Sequence, residues 1–157
     1  MSAIGRFLGR LITTGFGYVV ACVAAGMAIS LGIVLQAFIE GTIGISMRRL
    51  AAETLFAGGI IASFAVVYAF APAVVGIVVA EVFRVRRMVY YVAAGGVAGA
   101  LAYVSPVGSD MSRGPELAGH AVEIGPQFAL YVAAGIIGGI VYWGFSGRSA
   151  GVLAKSP

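Results

Sequence analysis

The sequence predicts an all-α, polytopic membrane protein: four transmembrane helices in an up-down bundle, with both termini cytoplasmic. Three observations carry that expectation. Hydrophobic residues fill 61% of the 157 positions and charged residues only 10%, whereas soluble domains run near 25% charged. The mean hydropathy is +1.03, and the apolar residues fall in long unbroken runs without the periodicity of amphipathic elements. Third, two apolar stretches match. Tyr91-Val92-Ala93-Ala94-Gly95 has Gly99 four residues on, and Tyr131-Val132-Ala133-Ala134-Gly135 has Gly139 four residues on. Small-xxx-small spacing strips one helix face to backbone and lets another helix approach closely in lipid.

The whole chain, residues 1–157, is short enough to be one transmembrane domain. Arg6 and Arg10 precede an uncharged run over 11–39. This has the order of a secretory signal, but the run is too long for a signal core and ample for a span of about 20 residues. It reads as an uncleaved signal anchor. Val19-Val20-Ala21-Cys22 fits a loose lipobox, yet the chain stays apolar as far as Ile39, so Cys22 reads as a small buried apolar residue. As the lone cysteine it excludes an internal disulfide, and with one histidine in the chain a cysteine/histidine zinc site is out of reach.

Over 42–53, Ile43, Met47 and Leu50 share one helical face while Arg48, Arg49 and Glu53 lie off it. That pattern suits a short helix in the headgroup zone, or else a plain connection. The second span covers 54–80. Pro72 lies in its later half, where it removes a backbone donor and should kink the helix. Glu81 and Arg84 are three residues apart, within reach of an ion pair. Arg84, Arg86 and Arg87 then form a basic cluster that marks the cytoplasmic side and contacts lipid headgroups. The third span covers 88–107 and ends at Ser105-Pro106, before a polar loop over 108–125 in which Pro115 is placed to start a turn of helix. Pro126 opens the fourth span, 126–145. The tail carries Arg148 and Lys155.

Counting flanking basic residues sets the orientation. Arg6, Arg10, Arg84, Arg86, Arg87, Arg148 and Lys155 fall on one side, against Arg48, Arg49 and Arg113 on the other. Tyr90, Tyr91, Tyr103, Tyr131, Tyr142 and Trp143 cluster near span ends, as an interfacial aromatic belt would. The formal charge of +4 therefore reads as orientation and lipid contact, not as nucleic-acid binding.

The two repeats sit in neighbouring spans of opposite direction, so a duplication would be inverted, as in some transporters. Shared packing needs would yield the same pattern. On either account Gly95, Gly99, Gly135 and Gly139 face other helices. Ala80-Glu81-Val82-Phe83-Arg84 leading into Tyr90-Tyr91 and Ala94-Gly95-Gly96, then Gly138-Gly139-Ile140-Val141-Tyr142-Trp143 and Gly147-Arg148-Ser149-Ala150-Gly151, resembles small four-span proteins of alphaproteobacterial inner membranes. The resemblance covers the second half of the chain. It implies a bacterial plasma-membrane address and brings no activity with it.

No Asp, Glu, Lys, Arg or His falls within the four predicted spans, so a proton- or ion-coupled transporter, which keeps such a group in the membrane, is not expected. Thr13, Thr14, Ser30, Gln36 and Ser63 can be satisfied by backbone or interhelical hydrogen bonds. Glu116, His120 and Glu123, with Asp110 nearby, would share a face if helical and are the one candidate metal or acid/base group. Gly119 and Gly125 weaken helix there, which leaves a solvated loop as the simpler reading. No nucleophile motif or phosphate loop is present. The expectation is therefore a non-enzymatic accessory or scaffold bundle without a cofactor, partnered by the bilayer and by itself or a larger membrane complex. A small pore or facilitator for a neutral or lipid-like substrate is the alternative. Reporter fusions at each end test the threading: both termini should report cytoplasmic, and export of either reporter overturns it.

Overall fold

The computed structural model describes residues 3–41, 46–83, 85–105 and 125–149. Five helices form among them: α1 (Ala3–Ile39), α2 (Met47–Tyr68), α3 (Phe70–Val82), α4 (Met88–Val104) and α5 (Pro126–Phe145), with a 3-10 turn at Gly147–Ser149. The protein is an all-α, membrane-type bundle. Three stretches are long and apolar enough to cross a membrane: Leu11–Ile39, Arg48–Tyr68 and Pro126–Phe145. Phe70–Ala80 and Met88–Val104 are shorter apolar helices.

α1 contains 37 residues and no proline, so its hydrogen-bond ladder runs unbroken for about 55 Å at 1.5 Å per residue. It stops at Gly41, whose φ of +69° is the left-handed conformation that ends helices. There Gly41 N–H turns back to Phe38 O at 3.1 Å. α2 packs against one side of α1, α5 against another, and α4 packs against the face of α5 next to the one that meets α1. Each of these neighbours runs antiparallel to the next. α3 meets α2 and α4 only sparsely.

Residues 54–80, expected as one kinked span, are instead split between α2 and α3 at Ala69 (φ −80°, ψ −4°). The cause lies at Pro72, which has no N–H to offer the carbonyl four residues back and whose ring crowds it. That carbonyl belongs to Tyr68, the last residue of α2. The ladder is intact on either side, with Ala69 N–H to Ala65 O and Ala73 N–H to Ala69 O both 2.9 Å. The separate interfacial helix expected over 42–53 also differs. From Met47 onward this segment is continuous with α2, because neither proline nor a turn interrupts it, and residues 42–45 lie outside the described ones. Arg49 Nε donates to Glu53 Oε1 at 2.8 Å along this first part of the helix.

Five of the eight buried apolar residues among those described are small, the others being Ile29, Tyr91 and Tyr103. Ala21, Cys22, Ala62, Ala80 and Ala134 are buried, while Phe16, Phe38, Phe56, Val67 and Val89 are exposed. Bulky residues outside and small ones between helices is how helices pack when lipid, as apolar as the side chains, surrounds them. Restoring the missing donor should restore the helix. In Pro72→Ala, spin labels at the exposed Phe56 and Val78 positions should move apart toward about 33 Å, the span of 22 residues in a straight helix. An unchanged distance in dipolar spectroscopy would mean that neighbouring helices, not the proline, set the break.

Candidate functional site

Among the described glycines, the closest backbone approach lies between α4 and α5. A Cβ added at Gly95 would land on the carbonyl oxygen of Gly135, and one at Gly135 on that of Gly95. A Cβ at Gly99 would strike Tyr131 O, and one at Gly139 would strike Tyr91 O. The relation is reciprocal: moving 40 positions forward from the α4 residue and 40 back from the α5 residue turns the Gly99–Tyr131 contact into Gly139–Tyr91. The two repeats therefore run antiparallel about a local two-fold axis near Gly95 and Gly135. Only residues without a side chain permit this backbone-to-backbone packing, in which Cα–H groups can face carbonyls across the pair.

Aromatic rings close both ends of this seam. Tyr91 stacks near Tyr142 with centroids 5.7 Å apart and meets Tyr90 edge-on at 5.3 Å. At the other end Tyr103 lies edge-on to both Phe128 and Tyr131 at 5.5 Å. Tyr91 and Tyr103 are only 6% and 3% exposed. These two rings, expected near span ends, are buried against the aromatic side chains of α5.

α1 is held by smaller versions of the same contact. On the α5 side, a Cβ at Gly138 would come within 3.2 Å of Ala21 O, and the Thr14 and Ser146 hydroxyls are hydrogen-bonded at 3.2 Å. On the α2 side, a Cβ at Gly26 would lie 2.7 Å from both Gly58 O and Ala62 N. This second seam was not singled out from the sequence, although a signal exists. Val23-Ala24-Ala25-Gly26 is a third copy of the tetrapeptide in the two repeats, and Gly58 and Ala62 have the small-xxx-small spacing. The polar span residues are scattered. Thr13 and Ser63 donate back to Gly9 O and Gly59 O at 2.9 Å on exposed faces. Ser30 Oγ, expected to find a partner, is buried without one, as is Thr54 Oγ1.

Where α3 falls away from its neighbours, a partly open cavity of about 500 Å³ remains between it, α1, α4 and α5. Alanines, glycines and aliphatic side chains dominate its wall, and it carries no charged residue among the described ones. Its polar atoms are committed elsewhere or small. Tyr18 Oη donates to Val66 O at 2.8 Å, and Tyr90 Oη donates across to Gly76 O on α3 at 2.8 Å. Cys22 is buried on the α1 wall.

One end of the cavity meets a basic rim. Tyr90, Tyr91 and Tyr142 line that end. Tyr91 Oη donates to Val85 O at 3.0 Å, and a Cβ at Gly147 would lie 2.9 Å from the Tyr91 ring. Beside them Trp143 Nε1 donates to Arg86 O at 3.0 Å, while the Arg148 guanidinium sits 4.5 Å over the indole. Arg86, Arg87 and Arg148 are all exposed. The third member of the predicted cluster, Arg84, lies outside the described residues, as do Asp110, Glu116, His120 and Glu123. Among the described residues no group of three or more His, Cys, Asp or Glu could hold a metal ion.

Comparison of the chain with protein-family models, with curated proteins and with solved structures yields no match. The class rests on the fold itself, a helical membrane-type bundle sealed by glycine seams and lined on one side by an apolar cavity. The seam should tolerate nothing larger than hydrogen. Gly135→Ala should destabilise the protein by about 1–3 kcal/mol through overpacking. Gly144→Ala, on the same helix with no atom within 4 Å of the added Cβ, should be neutral or stabilising by about 0.5–1 kcal/mol. Denaturant titration of helicity in detergent micelles measures both, and equal effects would refute the seam.

Proposed function

We propose that this chain is a non-enzymatic integral protein of a bacterial plasma membrane, an accessory or scaffold-type bundle that packs through glycine and alanine faces. In this reading α1, α4 and α5 each cross once and α2 with α3 makes a single bent crossing, which leaves both termini cytoplasmic. Helix lengths support it. α3 has 13 residues, about 20 Å of helix, which is too short to cross a core of about 30 Å alone. α2 and α3 together run from Met47 to Val82 and match α1 in length. The plasma-membrane address is supported by the basic bias of the flanks and by the resemblance of the second half to small inner-membrane proteins.

The observation that carries the scaffold reading is the α4–α5 seam. Four glycines are spent on bringing two backbones together, and the outer faces of the bundle are left rich in bulky apolar side chains. This describes a rigid unit built to sit among lipids and other helices. The alternative, a pore or facilitator for a neutral or lipid-like substrate, is favoured by the cavity. It is not favoured by the polar span residues, since Thr13, Thr14, Ser30, Gln36 and Ser63 do not line the cavity. Purification in mild detergent separates the readings. An accessory or scaffold protein should arrive with a second copy or another membrane protein in fixed ratio. A monomer arriving alone, which then speeds passage of a neutral solute or lipid across liposome membranes, would replace it with the facilitator.

A further inference from the structure

We infer that the cavity is a binding site for one anionic phospholipid, with an acyl chain lying in the hollow and the phosphate held at the basic rim by Arg87 and Arg148. The inference rests on the membrane reading above and adds a ligand to it. Three features of the site point to this occupant.

The first is shape. The lining on α4 runs from Tyr90 to Ala102, about 18 Å at 1.5 Å per residue. One leaflet of hydrocarbon is about 15 Å deep, half of the bilayer core. Spread over that length, about 500 Å³ open to the centres of water-sized spheres makes a slot about 9 Å between atom surfaces, still narrower than the about 10–12 Å that a helix with its side chains needs. An extended chain fits; a helix from a second copy or another protein does not.

The second feature is the wall. It is built of small and aliphatic residues with no charge, and its hydroxyls at Tyr18 and Tyr90 already donate to Val66 O and Gly76 O. A polar solute would find few partners inside, while an alkyl chain needs none.

The third is basic charge beside the aromatic end. Arg87 precedes α4, and Arg148 stacks on Trp143, whose indole N–H holds the carbonyl of Arg86, the residue before Arg87. The aromatic end of the cavity, Tyr90, Tyr91 and Tyr142, abuts this group through Val85 and Gly147. A molecule with a long apolar chain and a negative head matches both parts. Basic residues near a membrane surface attract anionic headgroups at about one kcal/mol each, so two are expected to confer roughly thirtyfold preference.

The full chain in detergent, offered dioleoyl phosphatidylglycerol or dioleoyl phosphatidylcholine, tests this by native mass spectrometry. Wild type should retain one phosphatidylglycerol per chain at energies that strip the rest, with roughly thirtyfold preference over phosphatidylcholine. Arg87→Gln with Arg148→Gln should abolish the preference and leave residual binding equal for both lipids. Gly76→Phe, where an added Cβ meets no atom within 4 Å, should remove retention of both lipids, and Ala98→Leu on the facing wall should reduce it; circular dichroism checks that each variant is folded. Equal retention of the two lipids by wild type, or undiminished retention in folded Gly76→Phe, would overturn the site. So would a dimer that Gly76→Phe dissociates, since a second copy would then be the occupant. Carbonate washing of cell membranes separates the failures: a protein released by it refutes the membrane reading, whereas one that stays embedded without selective lipid refutes only the lipid site.

Discussion

The bundle depends on glycine meeting carbonyl across α4 and α5. In lipid there is no hydrophobic gain from pressing two apolar helices together, so association has to come from atomic contact. Helices normally pack with axes about 8–10 Å apart, a distance set by their side chains. Removing the side chain at Gly95, Gly99, Gly135 and Gly139 puts backbone against backbone and multiplies the short-range contacts that dispersion rewards. The same helix then serves a second neighbour. One turn-face of α5 carries Gly135 and Gly139 toward α4, and Gly138 faces Ala21 on α1. α5 is thus the shared element, and α1 extends the arrangement to α2 through Gly26.

The cavity follows from this economy of side chains. Small residues on α1, α4 and α5 achieve close packing only where a backbone comes to meet them. α3 does not come. Pro72 ends the run of α2 at Tyr68 and releases the next 13 residues from the line that α2 follows along α1. What remains between α3 and the glycine-rich faces is space with apolar walls. Tyr90 Oη on Gly76 O and the edge-on contact of Tyr18 with Phe70 at 6.2 Å tie α3 at a few points without filling it. In a membrane such a hollow need not stay empty, because its surroundings are themselves made of chains.

Much of the fold was legible because lipid imposes few choices: a long uncharged run must be helix, since every backbone group has to be satisfied internally. The break at Ala69 was readable only in part. Pro72 announced a disturbance, but its place, at the residue whose carbonyl lost its donor and the one after it, comes from geometry four positions upstream. Residues 47–53 looked like a separate element because hydropathy changes there, and hydropathy reports solvent, not helix ends. The tyrosines were assigned to the interface by their places near span ends, and the sequence did not show that Tyr91 and Tyr103 are also buried against aromatic rings of α5. Spacing describes one face of one helix. Which partner completes it, and with what two-fold reciprocity, is a property of the pair.

The basic residues illustrate how a signal read one way along the chain acquires another meaning in space. Counted as flanks, Arg86, Arg87 and Arg148 only bias a topology, and their order does not matter. Trp143 changes that. Its ring accepts Arg148 from beyond α5 while its N–H fastens Arg86 ahead of α4, so positions 62 apart in sequence converge on one indole. A cation over an aromatic face contributes about 0.5–1 kcal/mol where it is exposed, enough to bias a short tail without locking it. Topology alone would be served by charges anywhere on that side. Their gathering beside the aromatic end of an apolar hollow is a stronger constraint, and it joins the basic group and the cavity into a single site.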